Sequence, residues 1–482
     1  MVAPPWLRRP EGRPFPSTPW ADHMVRALVA GGNLPSPVSK TMVLNLWSDC
    51  SGIHSEMHAL KELSASIMRI TGADVQWNLF YACDADPQCI ALSKQNFAPR
   101  HDGKDMRQRN FQTGEIWCST CSANIPMPQS GLDLYVGTYP CSPWSRRGPR
   151  TGWDHPSAEL FHIGMETLAF LHPATWIIEV GEMPEKDSID DVVTRIQAAL
   201  RQHGRDYTIQ ALRNLMPASS GYAMRRTRTF FMGWRADLGS RQEVVAAAAT
   251  LVQHPIDVTM SYRGFLGLAS PYDWSGVNEY LVGPALASAT SSPCRCSIDP
   301  MVVCPEHPCK CRKCGPAGVD CAWRKLFLTM ACDRGVQTAV RHATGIAPYC
   351  KVLELQGGKA PTQQRARVLL NIVAALPESL PLKDSLVLVD TSQNPPFGPC
   401  ASDGMVPTLT TSSLLWCLSA GRYIEVWETA ALMGIDTHNI EGDMSSEAWF
   451  RARLGAAVHV PNFGFALLAL LAKPLRDILG NQ

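Results

Sequence analysis

Three apolar runs constrain this chain more than any other feature: Leu132 to Tyr139, Trp176 to Glu182, and the stretch that follows Arg225 as far as Trp234. Short, nearly uninterrupted apolar runs of this kind are strands buried within an open α/β sheet, where helices cover both faces. What stands just beyond each run therefore stands at a sheet edge. In open α/β sheets the carboxyl edge is where ligands are held.

The first run leads directly into PCSPWS, Pro140 to Ser145, and so places the thiol of Cys141 just past the end of a buried strand. A free cysteine is usually a small buried hydrophobe, and most of the seventeen in this chain fit that description. The surroundings of Cys141 change the reading. The second run contains a carboxylate at Glu179, and the third begins RRTRT, with Arg226 and Arg228 two residues apart. Side chains two apart on an extended segment face the same way, so both guanidinium groups are expected to point into one cleft. Thiol, carboxylate and paired arginines would then share one edge of the sheet.

Further motifs lie on either side. Upstream is LNLWSDCSG, Leu44 to Gly52, a strand-to-turn segment followed by Ile53, Met57, Leu60 and Ile67 at helical spacing. FYACDADPQCIALSKQNF spans Phe80 to Phe97 and puts Asp84 where a strand would end. Next come KDM, with Asp105 and Met106, and DHPSAELF, Asp154 to Phe161. Near the end lie RYIEVWETAALMG, Arg422 to Gly434, and RLGAAVHVPNFGFALLALL, Arg453 to Leu471.

In this order and at these spacings the motifs resemble those of the cytosine-C5 methyltransferase family, in which a PC dipeptide, an ENV tripeptide and a QxRxR segment follow a DLFxGxGG turn. The resemblance implies Cys141 as nucleophile, Glu179 as the acid at the cytosine ring, and Arg226 and Arg228 as supporting groups. It implies S-adenosylmethionine as cofactor, held by Leu46, Trp47, Ser51 and Gly52 of the first turn, with Trp47 as an aromatic wall. Asp84 and Ala85 would meet the ribose, Asp105 and Met106 the adenine, and Pro140, Ala457 and Val458 would complete the site. It also implies a DNA substrate, RNA being the alternative partner. Ser145, Arg146, Arg147 and Arg150, just after Cys141, are the candidates for nucleic-acid contact beside the reacting base.

The chain departs from the family pattern at Asn45, Asp49 and Ser51 in the first motif, at Val180 for the ENV asparagine, at Ala223 and Met224 before the arginines, and at Ala456 in the last motif. The nucleophile, the acid and both arginines are retained, which favours an active DNA cytosine-C5 methyltransferase over a silent nucleic-acid-binding protein on the same fold.

Between Arg235 and Cys417 the match reduces to PTLTTS, Pro407 to Ser412, where the family places its variable target-recognition region. The expected division is a Pro/Arg-rich tail or surface strap over 1–38, a first catalytic part over 39–235, a recognition domain over 236–417 and a closing catalytic part over 418–482. The fold class is α/β, a Rossmann-like methyltransferase domain with a smaller, irregular, Cys-rich lobe.

That lobe holds seven cysteines between Cys294 and Cys321. At such density, with CxC and CxxC spacing and no secretory signal, metal ligation is expected before disulfides. Cys304, Cys309, Cys311 and Cys314 form the tightest set for a structural zinc, with Cys294, Cys296, Cys321 and His307 as alternates. A separate pair, Cys118 and Cys121, offers half a tetrahedral site and leaves metal binding and simple packing equally open.

A formal net charge of +1 gives no global attraction to nucleic acid, so phosphate binding must come from a local basic face. The apolar stretch Phe463 to Ala472 is too short to span a bilayer, and the N-terminal residues do not resemble a signal peptide. The expected setting is intracellular, the nucleus in a eukaryote, with no membrane association; the sequence names no protein partner.

Overall fold

The computed structural model describes residues 4–11, 20–36, 38–140, 142–144, 151–181, 186–222, 224–238, 241–254, 349–374, 388–393, 406–442, 444 and 446–480. The chain divides into two compact units, Met1–Thr259 with Val426–Gln482, and Met260–Glu425.

The first unit is built on strands β1 (Thr41–Asp49), β2 (Asp74–Cys83), β3 (His101–Gly103), the hairpin β4 (Glu115–Cys118) and β5 (Ala123–Pro126), then β6 (Leu134–Thr138), β7 (Thr175–Gly181), β8 (Tyr207–Leu215) and β9 (Arg228–Arg235). Seven of them form one sheet in the order β3-β2-β1-β6-β7-β9-β8. The five from β3 to β7 run parallel, and β9 lies antiparallel between β7 and β8. The expected Rossmann-like α/β sheet is the fold observed. Strand order reverses between β1 and β6, and the crevice outside the carboxyl ends of those two strands is where such a sheet takes its ligand. The residues after Asp49 and after Thr138 meet there.

Alternation along the strands sorts side chains to two faces. On one face Trp176, Ile178 and Val180 of β7 join Phe161, Met165 and Leu168 of α4 (Ala158–Leu171) and Val192 and Ile196 of α5 (Lys186–Gln202) in a continuous core. The other face is covered by α2 (Ser55–Thr71), α6 (Arg241–Gln253) and the long helix Val460–Gly480, whose Phe463 stacks on Phe230 of β9 at 5.6 Å. The stretch Phe463 to Ala472 is thus a buried core segment, and among the described residues no single helix is long and apolar enough to cross a membrane.

Local signals set the element ends. Helix α2 contains the predicted Met57, Leu60 and Ile67, all buried, and stops at Gly72, where φ is +86° and a Cβ would come 2.7 Å from the carbonyl oxygen of Val38. Helix α3 (Pro87–Asn96) starts where Asp86 accepts a hydrogen bond from the N–H of Gln88, with Pro87 at the first helical position.

The N-terminal segment corrects an expectation. Residues 20–30 form α1, not a loose tail or strap: Trp20, Met24, Val25 and Leu28 are buried against α2 and the helix Val460–Gly480. Their spacing is helical, but the Pro/Arg composition of the preceding residues masked it. Trp20 lies over Gly464, where a Cβ would come 2.2 Å from the indole.

The described part of the second unit has the helices Tyr349–Leu355 and Gln364–Ala374 and an antiparallel three-stranded sheet, Leu388–Asp390, Leu415–Cys417 and Arg422–Tyr423. Tyr349, Leu353, Leu370, Val389, Trp416 and Leu418 form its core. Buried Asp390 closes one end by accepting from the N–H groups of Ser392 and Leu414 and the hydroxyl of Ser413, which in turn accepts from the Thr410 N–H of the PTLTTS stretch.

Candidate active site

At the crevice the chain leaves β1 through an unusual turn. Cys50, Gly52 and His54 all have positive φ, at 54°, 52° and 58°. Left-handed backbone at non-glycine residues costs about 1–2 kcal/mol each and persists only where neighbours fix it. Here Thr138 of β6 donates to the Cys50 carbonyl at 2.7 Å, and the buried His54 Nδ1 lies 2.7 Å from Glu56 Oε1. Ser48 holds the same carboxylate oxygen at 2.7 Å.

Two carboxylates flank this turn. Asp84, at the end of β2, accepts from the Gly52 N–H at 2.8 Å and from the Asp86 N–H at 2.9 Å. Burial pushes its pKa up, opposed by those two N–H groups. A carboxylate has about four lone-pair positions, so Asp84 keeps acceptor capacity for ribose hydroxyls. Its remaining acceptor positions, at the edge of the crevice, therefore fit the hydroxyls of a nucleoside cofactor. Asp105 caps a short turn by accepting from the Arg107 N–H at 3.0 Å, and Met106 beside it is buried, its sulfur 3.7 Å from Cys50 Sγ.

Asp49 occupies a family glycine position and turns away from the crevice into the core. It pairs with buried Arg109 and accepts from Trp47 Nε1 at 3.0 Å and from the Tyr135 hydroxyl at 2.7 Å. Trp47 is fully buried, stacked on Tyr81 at 4.2 Å with Arg109 over its ring at 5.5 Å. This corrects the expected open aromatic wall: the indole is a floor beneath the turn, held there by its N–H to Asp49. Leu46 and Val458 are likewise core residues, Ser51 is buried with its N–H on the Cys83 carbonyl, Ala457 is half-buried, and Ala85 and Pro140 are exposed.

Across the crevice, Thr138 of β6 is paired in register with Glu179 of β7, which sets the carboxylate beside the strand that runs on to Pro140. Glu179 is buried and its Oε1 lies 2.6 Å from Arg228 Nε on β9. Burial raises its pKa, opposed by the charges of Arg228 and Arg226. The two arginines do not share a role. Arg226 is completely buried and donates to the carbonyls of Gly455, at 3.0 Å, and Ala457, where the helix Glu447–Ala456 ends. A cation there meets the negative end of the helix dipole. It fastens the last motif to the sheet, a function the two-residue spacing did not reveal.

Cys141, Ser145, Arg146, Arg147 and Arg150 lie outside the described residues, as do Cys294, Cys296, Cys304, His307, Cys309, Cys311, Cys314 and Cys321. The other cysteine pair, Cys118 and Cys121, converges on His101 of β3. That histidine was missed in the sequence because it stands well before the pair on a different strand. Arg109 and Tyr135 were missed for the same reason, since each meets Asp49 only through the fold.

The family model of C-5 cytosine-specific DNA methylases matches residues 46–262. No curated protein matches the chain significantly. Among solved structures, the chain is similar to a putative DNA modification methyltransferase encoded within a prophage of E. coli, at 14% identity over 91% of this chain and 100% of that one, with a TM-score of 0.45. It is also similar to the S. pombe Dnmt2 methyltransferase, at 13% identity over 90% and 99%, TM-score 0.44. A third is the Entamoeba histolytica methyltransferase EhMeth, at 11% identity over 89% and 98%, TM-score 0.42.

Proposed function

We propose that this protein, whose residues 46–262 match the family model of C-5 cytosine-specific DNA methylases, methylates carbon 5 of cytosine in DNA, with S-adenosylmethionine as donor and Cys141 as covalent nucleophile. The observation that carries the reading is the buried Glu179–Arg228 pair set in register beside the strand that leads to Cys141.

Carbon 5 of cytosine is a weak nucleophile until the ring is activated. The Cys141 thiolate adds to C6, the sulfur–carbon bond forms, and the ring's π electrons move toward C5 and N3. A protonated Glu179 answers the charge at N3. Its environment suits that task, because burial favours the neutral carboxyl while Arg228 fixes its orientation. S-adenosylmethionine supplies an electrophilic methyl group to C5. Asp84 would hold its ribose hydroxyls and Asp105 and Met106 its adenine, with the turn through Ser51 and Gly52 packed against it. Loss of the C5 proton then lets the Cys141 sulfur leave as thiolate. In a duplex the base must first be turned out of the stack.

Trapping with 5-fluorocytosine tests this reading, since fluorine at C5 blocks the final elimination. Matched DNA and RNA oligonucleotides are incubated with the protein and S-adenosylmethionine, with Cys141→Ser as control. A DNA adduct absent from the control is expected. An adduct on RNA alone would assign the same chemistry to RNA, and no adduct with either would leave a binding protein on a methyltransferase fold.

A further inference from the structure

The hairpin β4–β5 is inserted between the adenine-side turn and β6, and its tip carries Cys118 and Cys121. The tip folds back on itself: the Cys121 N–H donates to Cys118 Sγ at 3.3 Å, and Ser122 follows with φ of 52°. It is docked on β3 by the Ser119 N–H to the Asp102 carbonyl at 2.8 Å and the Thr120 N–H to the Asp102 carboxylate at 3.0 Å. This docking brings both sulfurs to His101, whose Nδ1 lies 3.6 Å from Cys118 Sγ and 3.4 Å from Cys121 Sγ. All three atoms lie within 4.8 Å of one another.

Two sulfurs converging on one ring nitrogen is poor hydrogen bonding. A neutral imidazole nitrogen has a single lone pair and cannot accept from two thiols, and thiols are weak donors. It is good coordination geometry. With zinc–sulfur bonds near 2.3 Å and zinc–nitrogen bonds near 2.05 Å, a tetrahedral site has a sulfur-to-nitrogen edge of about 3.6 Å. Both observed separations match that edge. Neither cysteine is in a disulfide.

We propose that His101, Cys118 and Cys121 bind a zinc ion, through Nδ1 and two thiolate sulfurs, with a water completing the tetrahedron on the solvent side where Cys121 is exposed. Each thiol gives up a proton on binding and no electron is transferred. The ion clamps the inserted hairpin to the strand that ends just before Asp105. The proposal draws on none of the cysteines between Cys294 and Cys321 and does not depend on the proposed methyl transfer.

The test is metal content of the full chain, purified with zinc, for the parent, Cys121→Ser and His101→Ala. The expected result is one zinc equivalent fewer in each variant at unchanged near-ultraviolet circular dichroism. Cobalt substituted into the parent should show a sulfur-to-cobalt charge-transfer band that weakens in both variants. Alkylation of folded parent, read by peptide mass, should find Cys118 and Cys121 protected until a chelator is added. Equal metal content in parent and variants overturns the proposal, as does a Cys118–Cys121 disulfide in the zinc-treated protein. If either variant fails to fold, the chelator-dependent alkylation of the parent decides alone: reactivity of Cys121 unchanged by chelator overturns the site.

Discussion

Arg228 on β9 places its Nε 2.6 Å from Oε1 of Glu179 on β7, in a contact almost closed to solvent. Burial nevertheless wins over the arginine, and the carboxyl titrates above the ordinary glutamate range. The folded protein therefore holds this proton more tightly than the unfolded chain does. The stability it contributes is full below the usual glutamate pKa and is lost as pH rises through the folded value.

Activity that needs the protonated carboxyl falls on the alkaline side of that pKa. Glu179→Gln should lower methyl transfer by about 10²- to 10⁴-fold, the usual range for a positioned acid. Arg228→Ala removes a charge that lowers the Glu179 pKa, so it should move the alkaline limb of the pH–rate profile to higher pH while reducing the rate. A limb that stays in place would separate Glu179 from the titration.

Asp49→Gly restores the family's residue but strips Arg109 of its buried carboxylate. Removing one partner of a buried pair costs about 3–5 kcal/mol. Urea unfolding should show a loss of that order, largely recovered in Asp49→Gly with Arg109→Met. Additive losses in the double variant would mean that the two residues are not coupled.

Acid should unfold this domain in a histidine-dependent way. Burial lowers the pKa of His58 to about 3 and that of His459 well below the ordinary value. The unfolded chain binds these protons first, so stability is present above pH 6.5, the reference value, and drains as pH falls toward 3. Replacing His58 by Leu should lower the acid midpoint seen by circular dichroism. An unmoved midpoint would assign the sensitivity elsewhere.

Gly233 faces the Trp176 indole across the β7–β9 pairing, and a Cβ there would come 2.3 Å from the ring. Gly233→Ala should destabilise by about 1–3 kcal/mol, as overpacking of a filled core does. Trp176→Leu in the same chain should relieve part of it; a double variant no better than the single would place the strain elsewhere.

The sheet was legible because its strands are nearly pure apolar runs, and Glu179 because it interrupts one of them. Pairwise geometry was less so. Alternation turned Arg226 and Arg228 to one cleft, yet only Arg228 meets Glu179; Arg226 meets the end of a helix near residue 456, a contact made only once the chain returns. Trp47 read as a ligand wall because its buried anchor, Asp49, gains its meaning from Arg109 and Tyr135 on other elements. His101 was silent for the same reason: one histidine on a short edge strand carries no signal until a hairpin folds onto it.

The indole of Trp20 seated over Gly464 joins a helix near the start of the chain to one near its end. On a ribosome residues 20–30 are made long before the helix Val460–Gly480 that receives them. The buried face of α1 must therefore wait, exposed, until Gly464 and its neighbours have been made, and contacts so distant in sequence form slowly. Nascent chains halted before residue 460 should bind chaperones that shield apolar surface, and chains extended past residue 480 should release them.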